Sequence, residues 1–138
     1  MIGEEVYRQV LEHFGVRATT PRLAVASYVL GTHDHPSAQQ VWARARQVAP
    51  TITRASVYNT LNLFVKKGLL RELVLSEGRV VYDPNTVRHH HFIDDRTGEI
   101  HDVPWEALEV KHIDGLKGFQ VSEYQVVLRG RSKKGARR

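Results

Sequence analysis

The sequence predicts an α+β chain with a helical module first and a small strand-rich α/β module second. Three observations support this. Helical hydrophobic spacing recurs from residue 3 to residue 67, with cap residues before each run and glycine or proline after it. Two short strand-like runs follow at once. After Pro84-Asn85, a natural hinge, strand-like alternation takes over, in a segment dense in histidine and carboxylates.

Each element can be justified in order. Residues 3–14 place Val6, Val10, Leu11 and Phe14 at helical spacing, and Gly15 stops that helix. In the next run Thr20 is a cap, Pro21 fits the first helical position, and Val25, Val29 and Leu30 form one face before Gly31. Ser37 caps a helix whose apolar face is Val41, Trp42 and Ala45, closed by Pro50. Thr53 caps a further helix in which Val57, Leu61, Phe64 and Val65 share a face. Lys66 and Lys67 sit in its last turn, where cations favour the dipole, and Gly68 ends it. LLRELVLSEGRVVYD then reads as two strands around a Ser-Glu-Gly turn. The last three of these helices followed by a hairpin give the winged-helix order. In the second module HHHFIDD and GEIHDV read as strands around Arg96-Thr97-Gly98, Trp105–Leu116 as a short helix or helical turn, and FQVSEYQVVLRG as a strand. The expected boundaries are 1–84, 85–130 and a basic, disordered tail at 131–138.

Composition narrows the function. The chain has 138 residues and no cysteine, which excludes disulfides and thiolate metal sites. The net charge of +5 is unevenly spread: residues 1–75 carry +4, residues 76–128 carry −5, and residues 129–138 carry +6. A basic first half suits a polyanion, and an acidic, histidine-rich middle suits a cation. No apolar run approaches the roughly 18 residues of a membrane span, and the N-terminal amphipathic run is not a signal peptide, so a cytoplasmic protein is expected.

Two clusters carry chemistry. On the last helix Arg54, Ser56, Tyr58, Asn59 and Asn62 lie away from the apolar face. Such donors and acceptors can read base edges and phosphates when a helix enters the major groove. Arg17 and Arg22 are candidates for phosphate contact. The bland alternative is a solvated helix face with surface salt bridges. The second cluster is His89-His90-His91. On a strand, alternate residues share a face, so His89 and His91 point together and His90 points away. Asp83 and Asp102 flank them, and His35 is a candidate fifth ligand from the first module. This nitrogen and oxygen set suits Fe(II), Mn(II) or Zn(II). The alternative is a polar cluster with no ion. His33, His90, His101 and His112 are weaker candidates.

Together these motifs resemble the ferric uptake regulator (Fur) superfamily, from roughly Val6 to Gly130. The resemblance lies in RATTPR, HPSAQQVW, ITRASVYNTLNLFVKKGLL, the wing GRVVYD, then HHHF and TGEIHDV. It implies a homodimer that binds double-stranded, palindromic DNA through a winged helix, joined to an α/β dimerisation domain, with a regulatory cation between the two domains. The matching ligands are His35, Asp83, His89, His91 and Asp102, an arrangement similar to the peroxide-sensing (PerR-like) pattern. Tyr58 matches a base-contacting tyrosine. Two departures stand out. The two C-x-x-C motifs that hold a structural zinc in many members are absent, so no structural zinc held by four cysteines is expected. A second histidine-carboxylate site is incomplete, with Tyr124 near the place of its late histidine while Glu109 and His90 remain.

The expected function is therefore a metal-dependent transcriptional regulator, mainly a repressor, and not an enzyme. Its cofactor is expected to be Fe(II) or Mn(II), with Zn(II) acceptable in purified protein. Peroxide could act by metal-catalysed oxidation of His35 or His89. Three alternatives stay open: a heme-responsive regulator similar to the iron response regulator (Irr-like) branch, using the His89–His91 cluster; a metallohydrolase; and a winged helix that binds protein instead of DNA.

Overall fold

The computed structural model describes residues 3–75 and 78–133. Ser76 and Glu77 of the expected wing turn, and residues 134–138 of the expected tail, lie outside the described residues. The chain divides into two compact units, Met1–Thr86 and Val87–Arg138.

The first unit holds four helices, α1 (Glu4–His13), α2 (Thr20–Val29), α3 (Ala38–Val48) and α4 (Arg54–Lys66), then a hairpin of β1 (Arg71–Val74) and β2 (Val80–Asp83). α1 begins with Glu4 and Glu5, whose charges suit the N-terminal end of the helix dipole. Its Gly15 adopts φ 76, the left-handed geometry that lets the chain leave a helix without a Cβ clash. The expected apolar face of α1 is only partly buried: Leu11 is fully covered, while Val6 is 48% and Phe14 39% exposed.

The cap of α2 corrects the expected register. Thr19, not Thr20, is the N-cap, and its hydroxyl accepts the Arg22 N–H at 3.4 Å. Both threonines carry the needed oxygen, but Thr19 has the extended backbone of a cap. Pro21 still sits in the first turn, where its missing N–H costs nothing. Ser37 caps α3 in a capping box. The Gln40 N–H donates to Ser37 Oγ at 3.2 Å, and the Ser37 N–H donates to Gln40 Oε1 at 2.8 Å. Thr53 caps α4, accepting from the Ser56 N–H at 3.0 Å.

The core forms where these apolar faces meet. Leu11, Val25, Val29, Val41, Val57, Leu61 and Phe64 are fully buried. Each such side chain contributes about 1.5–3 kcal/mol over its exposed state. The Trp42 indole N–H donates to the Ile52 carbonyl at 3.1 Å, pinning the turn that aims α4. β1 and β2 pair antiparallel, with Arg71 opposite Asp83 and Val74 opposite Val80. The Tyr82 N–H donates to the Pro36 carbonyl at 2.9 Å, so the strand ending in Asp83 is tied to the turn carrying His35.

The second unit is a three-stranded sheet in the order β4-β3-β5, made of β3 (His89–Asp94), β4 (Ile100–Pro104) and β5 (Val127–Gly130). β4 is antiparallel to β3, with His91 opposite Asp102; β5 is parallel to β3, with His91 opposite Val127. Asp94 closes the β3–β4 turn: its Oδ1 accepts the Arg96 N–H at 2.8 Å and its carbonyl accepts the Gly98 N–H at 2.7 Å.

Two expectations for this unit are corrected. The short helix or helical turn expected over Trp105–Leu116 is confined to a 3-10 turn, Trp105–Ala107. His112 takes φ 68 and Asp114-Gly115 turns the chain, while Val110 and Ile113 are β-branched, so no helical run survives. The strand expected from Phe119 to Gly130 is reduced to Val127–Gly130. Before it, Phe119 is 75% and Val121 39% exposed, so this stretch has no packed face to hold it in a sheet.

Candidate functional site: a nucleic-acid face and two cation half-sites

The first unit presents one polar face on α4. Burial of Val57, Thr60, Leu61 and Phe64 turns the opposite side of the helix outward. Arg54, Tyr58 and Asn62, spaced four apart, form one exposed row, with Tyr58 47% exposed. Arg54 also lies over the Trp42 ring at 4.5 Å, which holds its guanidinium near the head of α4. Arg22, Ser56 and Asn59 line a cleft of about 620 Å³ between the starts of α2 and α4. The Arg22 Nη1 donates to the Arg17 carbonyl at 3.0 Å, while Arg17 itself is exposed. The seven residues expected at the nucleic-acid face are thus either exposed on the helical unit or line its cleft.

The first cation half-site lies in the same unit. His35 and Asp83 are both buried, and His35 Nε2 is 3.2 Å from Asp83 Oδ2. Asp83 ends β2, and its other oxygen, Oδ1, accepts the Asn85 N–H at 2.9 Å. His35 adopts φ 51, a left-handed backbone that costs free energy for a residue with a Cβ and persists only where its surroundings hold it. The buried Pro36 and its bonded carbonyl supply that hold.

The second half-site lies on the sheet. His89 and His91 point to one side of β3, their rings 4.5 Å apart. Both Nε2 atoms approach one carboxylate oxygen, Asp102 Oδ1, at 3.4 Å and 3.7 Å. Both Nδ1 atoms are engaged behind: His89 Nδ1 meets the Val87 carbonyl at 2.6 Å, and His91 Nδ1 meets Gln125 Oε1 at 2.9 Å. An imidazole whose Nδ1–H is given to an acceptor presents a bare Nε2 lone pair, the form a cation needs. The donors in the two half-sites are therefore imidazole nitrogens and carboxylate oxygens, with all the imidazoles almost fully buried. They fit a hard-to-borderline divalent cation such as Mn(II), Fe(II) or Zn(II).

The remaining histidines do other work. His90 faces the opposite side of β3, stacked on Trp105 at 4.6 Å and near Tyr124 at 6.4 Å. Its Nδ1 accepts the Val126 N–H at 2.9 Å. Burial pushes its imidazole below the ordinary range, so it stays neutral at physiological pH. Arg88 covers the same stack, 3.9 Å above the Trp105 ring. His101 is 3.6 Å from Glu99, and His33 and His112 are exposed. Sequence reasoning missed Gln125, the Val87 carbonyl, and the Arg88–Trp105–His90 stack. Gln125 lies 34 residues from the His91 it meets, and Trp105 joins His90 only through the fold, so no local pattern marks them; Val87 is close to His89 in the chain, but a backbone carbonyl leaves no side-chain signal.

With this geometry in hand, comparison with known proteins is direct. Residues 13–129 match the profile of the Ferric uptake regulator family. The chain is 30% identical over 122 residues to the peroxide-responsive repressor PerR of Staphylococcus epidermidis, covering 87% of this chain and 81% of that one. It is equally similar to the protein of that name from Staphylococcus aureus, covering 82% of it. Among solved structures, the Vibrio cholerae ferric uptake regulator, described with DNA-binding domains, superposes with a TM-score of 0.71 at 25% identity, over 91% of this chain and 98% of that one. The Campylobacter jejuni peroxide stress regulator shares the fold, with a TM-score of 0.66 at 21% identity, covering 99% of this chain and 100% of that one.

Proposed function

The chain belongs to the ferric uptake regulator family, and on that premise we propose that it is a cation-dependent, DNA-binding transcriptional regulator, mainly a repressor. One observation carries the reading: two buried imidazoles on β3 turn their Nε2 atoms to one carboxylate while acceptors hold both Nδ1 atoms. A polar cluster with no ligand to bind has no need of that orientation.

In this proposal the ligands are His35, Asp83, His89, His91 and Asp102, and the cation is Fe(II) or Mn(II), with Zn(II) also suited to the donors. Cation binding at these ligands favours the form of the protein that binds DNA. In a cytoplasmic homodimer, two α4 helices then meet the two half-sites of a palindromic operator. Arg54, Ser56, Tyr58, Asn59 and Asn62 face the bases and backbone, and Arg17 and Arg22 face phosphates. The exposed apolar side chains Leu116, Phe119 and Val121 are compatible with burial in a homodimer. The role is regulatory, with no catalysed turnover.

The similarity to peroxide-responsive repressors supports a finer reading. Bound Fe(II) supplies the redox chemistry for hydrogen peroxide. The residues at risk are His35 and His89, each gaining one oxygen atom on its imidazole as the second oxygen of the peroxide leaves as water. The heme alternative has weaker support: His89, His90 and His91 are all buried, which leaves little access for a bulky macrocycle.

The test is operator binding by metal-stripped protein, repeated with Mn(II), Fe(II) and heme, and with His89→Ala and Asp102→Ala. Binding strengthened by Mn(II) or Fe(II), and lost in both variants, supports the reading. Equal binding by the metal-free protein, changed only by heme, overturns it. Peroxide treatment of the Fe(II) form, followed by peptide mass analysis, tests the oxidation: no added oxygen on either histidine refutes it.

A further inference from the structure

His89 and His91 present the same Nε2 atom but are held by chemically different acceptors. The Val87 carbonyl behind His89 can only accept, so His89 Nδ1 must carry the proton at 2.6 Å. The group behind His91 is a side-chain amide, which has both an acceptor oxygen and a donor nitrogen. With Oε1 towards the ring, Nδ1 is protonated and Nε2 is bare. With the amide turned over, its N–H would meet Nδ1, the ring proton would move to Nε2, and that ligand would be lost.

We propose that Gln125 is the positioning residue of the cation site: it selects the ligating tautomer of His91 and so sets the affinity of the site. This rests on the cation reading above. The position of Gln125 is fixed by its neighbour in the chain. The Val126 N–H donates to His90 Nδ1 at 2.9 Å, and the Val126 carbonyl accepts the His91 N–H at 3.0 Å. Val127 then enters the parallel pairing opposite His91. The segment just before β5 thus grips two consecutive histidines of β3, one on each face. His90, stacked on Trp105 at an interplanar angle of 17°, anchors that grip on the side away from the ligands. Gln125 itself is half-buried, so water competes weakly for the amide.

Two substitutions separate selection from mere packing. Gln125→Leu keeps the bulk and removes the acceptor. Gln125→Glu keeps the acceptor and removes the donor, leaving a group that can only favour the Nδ1–H tautomer and that raises the basicity of Nε2. Calorimetric titration of the metal-free protein with Mn(II) should show affinity lowered about 10–100-fold in Gln125→Leu, the usual range for an outer-shell acceptor. Gln125→Glu should bind at least as tightly as the parent. Nitrogen NMR of the metal-free proteins should find His91 as the Nδ1–H tautomer in the parent and in Gln125→Glu, and shifted towards Nε2–H in Gln125→Leu. Unchanged affinity and tautomer in Gln125→Leu would overturn the proposal, as would Gln125→Glu binding as weakly as Gln125→Leu. If His91→Ala binds Mn(II) as the parent does, the cation reading itself fails, an outcome distinct from failure of the Gln125 proposal.

Discussion

Tyr58 offers a sharp separation of folding from recognition. Its ring is 47% exposed on the outer face of α4, and the fully buried face of that helix is built from Val57, Leu61 and Phe64. Tyr58→Ala strips a side chain that is only about half covered, and alanine is the better helix former, so stability should fall by no more than about 1–1.5 kcal/mol. Affinity for the operator should behave differently. Loss of one base-directed contact costs about 1–3 kcal/mol, which corresponds to roughly 5- to 150-fold. Tyrosine is neutral, so the slope of log affinity against log salt should not change. Arg22→Ala makes the contrast. Removing a phosphate-directed cation should weaken binding on every sequence and reduce that slope by about one. Fluorescence anisotropy on an operator fragment at several salt concentrations, alongside urea unfolding, measures all of this. Parent-like binding by Tyr58→Ala would refute the placement of α4 against DNA, and so would a large stability loss that accounts for the weakened binding.

Other perturbations reach the core, the sheet and the cation site. Phe64→Ala should cost about 3–5 kcal/mol in urea unfolding, because Phe64 is large and fully enclosed among α2, α3 and α4. Asp94 accepts from the Arg96 N–H and from Ser132, and these bonds hold its carboxyl below the usual carboxylate range. A depressed folded value gives stability that is present above the unfolded value and lost as pH falls through the folded one. Acid unfolding followed by circular dichroism should therefore lose one proton-linked step in Asp94→Asn. Saturating Mn(II) at about 100 times its dissociation constant should stabilise the protein by about 2.7 kcal/mol, and a chelator should reverse this. Thermal melts of His91→Ala should show no such response.

The helical unit was largely legible in the sequence because its determinants are contiguous. Ser37 with Gln40, Thr53 before α4, and the spacing of Val57, Leu61 and Phe64 each lie within a few residues of the structure they set. The slip from Thr20 to Thr19 shows the resolution of that logic: two adjacent threonines differ only in backbone conformation. The sheet unit was less legible. The period-two rule placed His89 and His91 together and His90 opposite. The apolar residues between Trp105 and Val121 read as helical by spacing, yet Val110, Leu116, Phe119 and Val121 are left exposed and no helix forms beyond Ala107. Pairings over long separations lie beyond local pattern, and the family resemblance is what set His35 beside Asp83 in one ligand set. His35 meets Asp83, and His91 meets Gln125, through turns and strand register. The double role of Arg54, stacked on Trp42 and facing outward, likewise depends on how α3 and α4 pack.

In the proposed mechanism, cation and operator binding are coupled through His35, Asp83, His89, His91 and Asp102. Linkage makes this reciprocal: whatever factor the cation adds to operator affinity, the operator must add to cation affinity. The most direct measurement is the Mn(II) affinity of the protein with and without saturating operator DNA, for the parent and for Asp102→Ala. The account predicts tighter Mn(II) binding on DNA, by the factor found in operator titrations, and no such factor in Asp102→Ala. Equal Mn(II) affinity in the free and DNA-bound parent would contradict it.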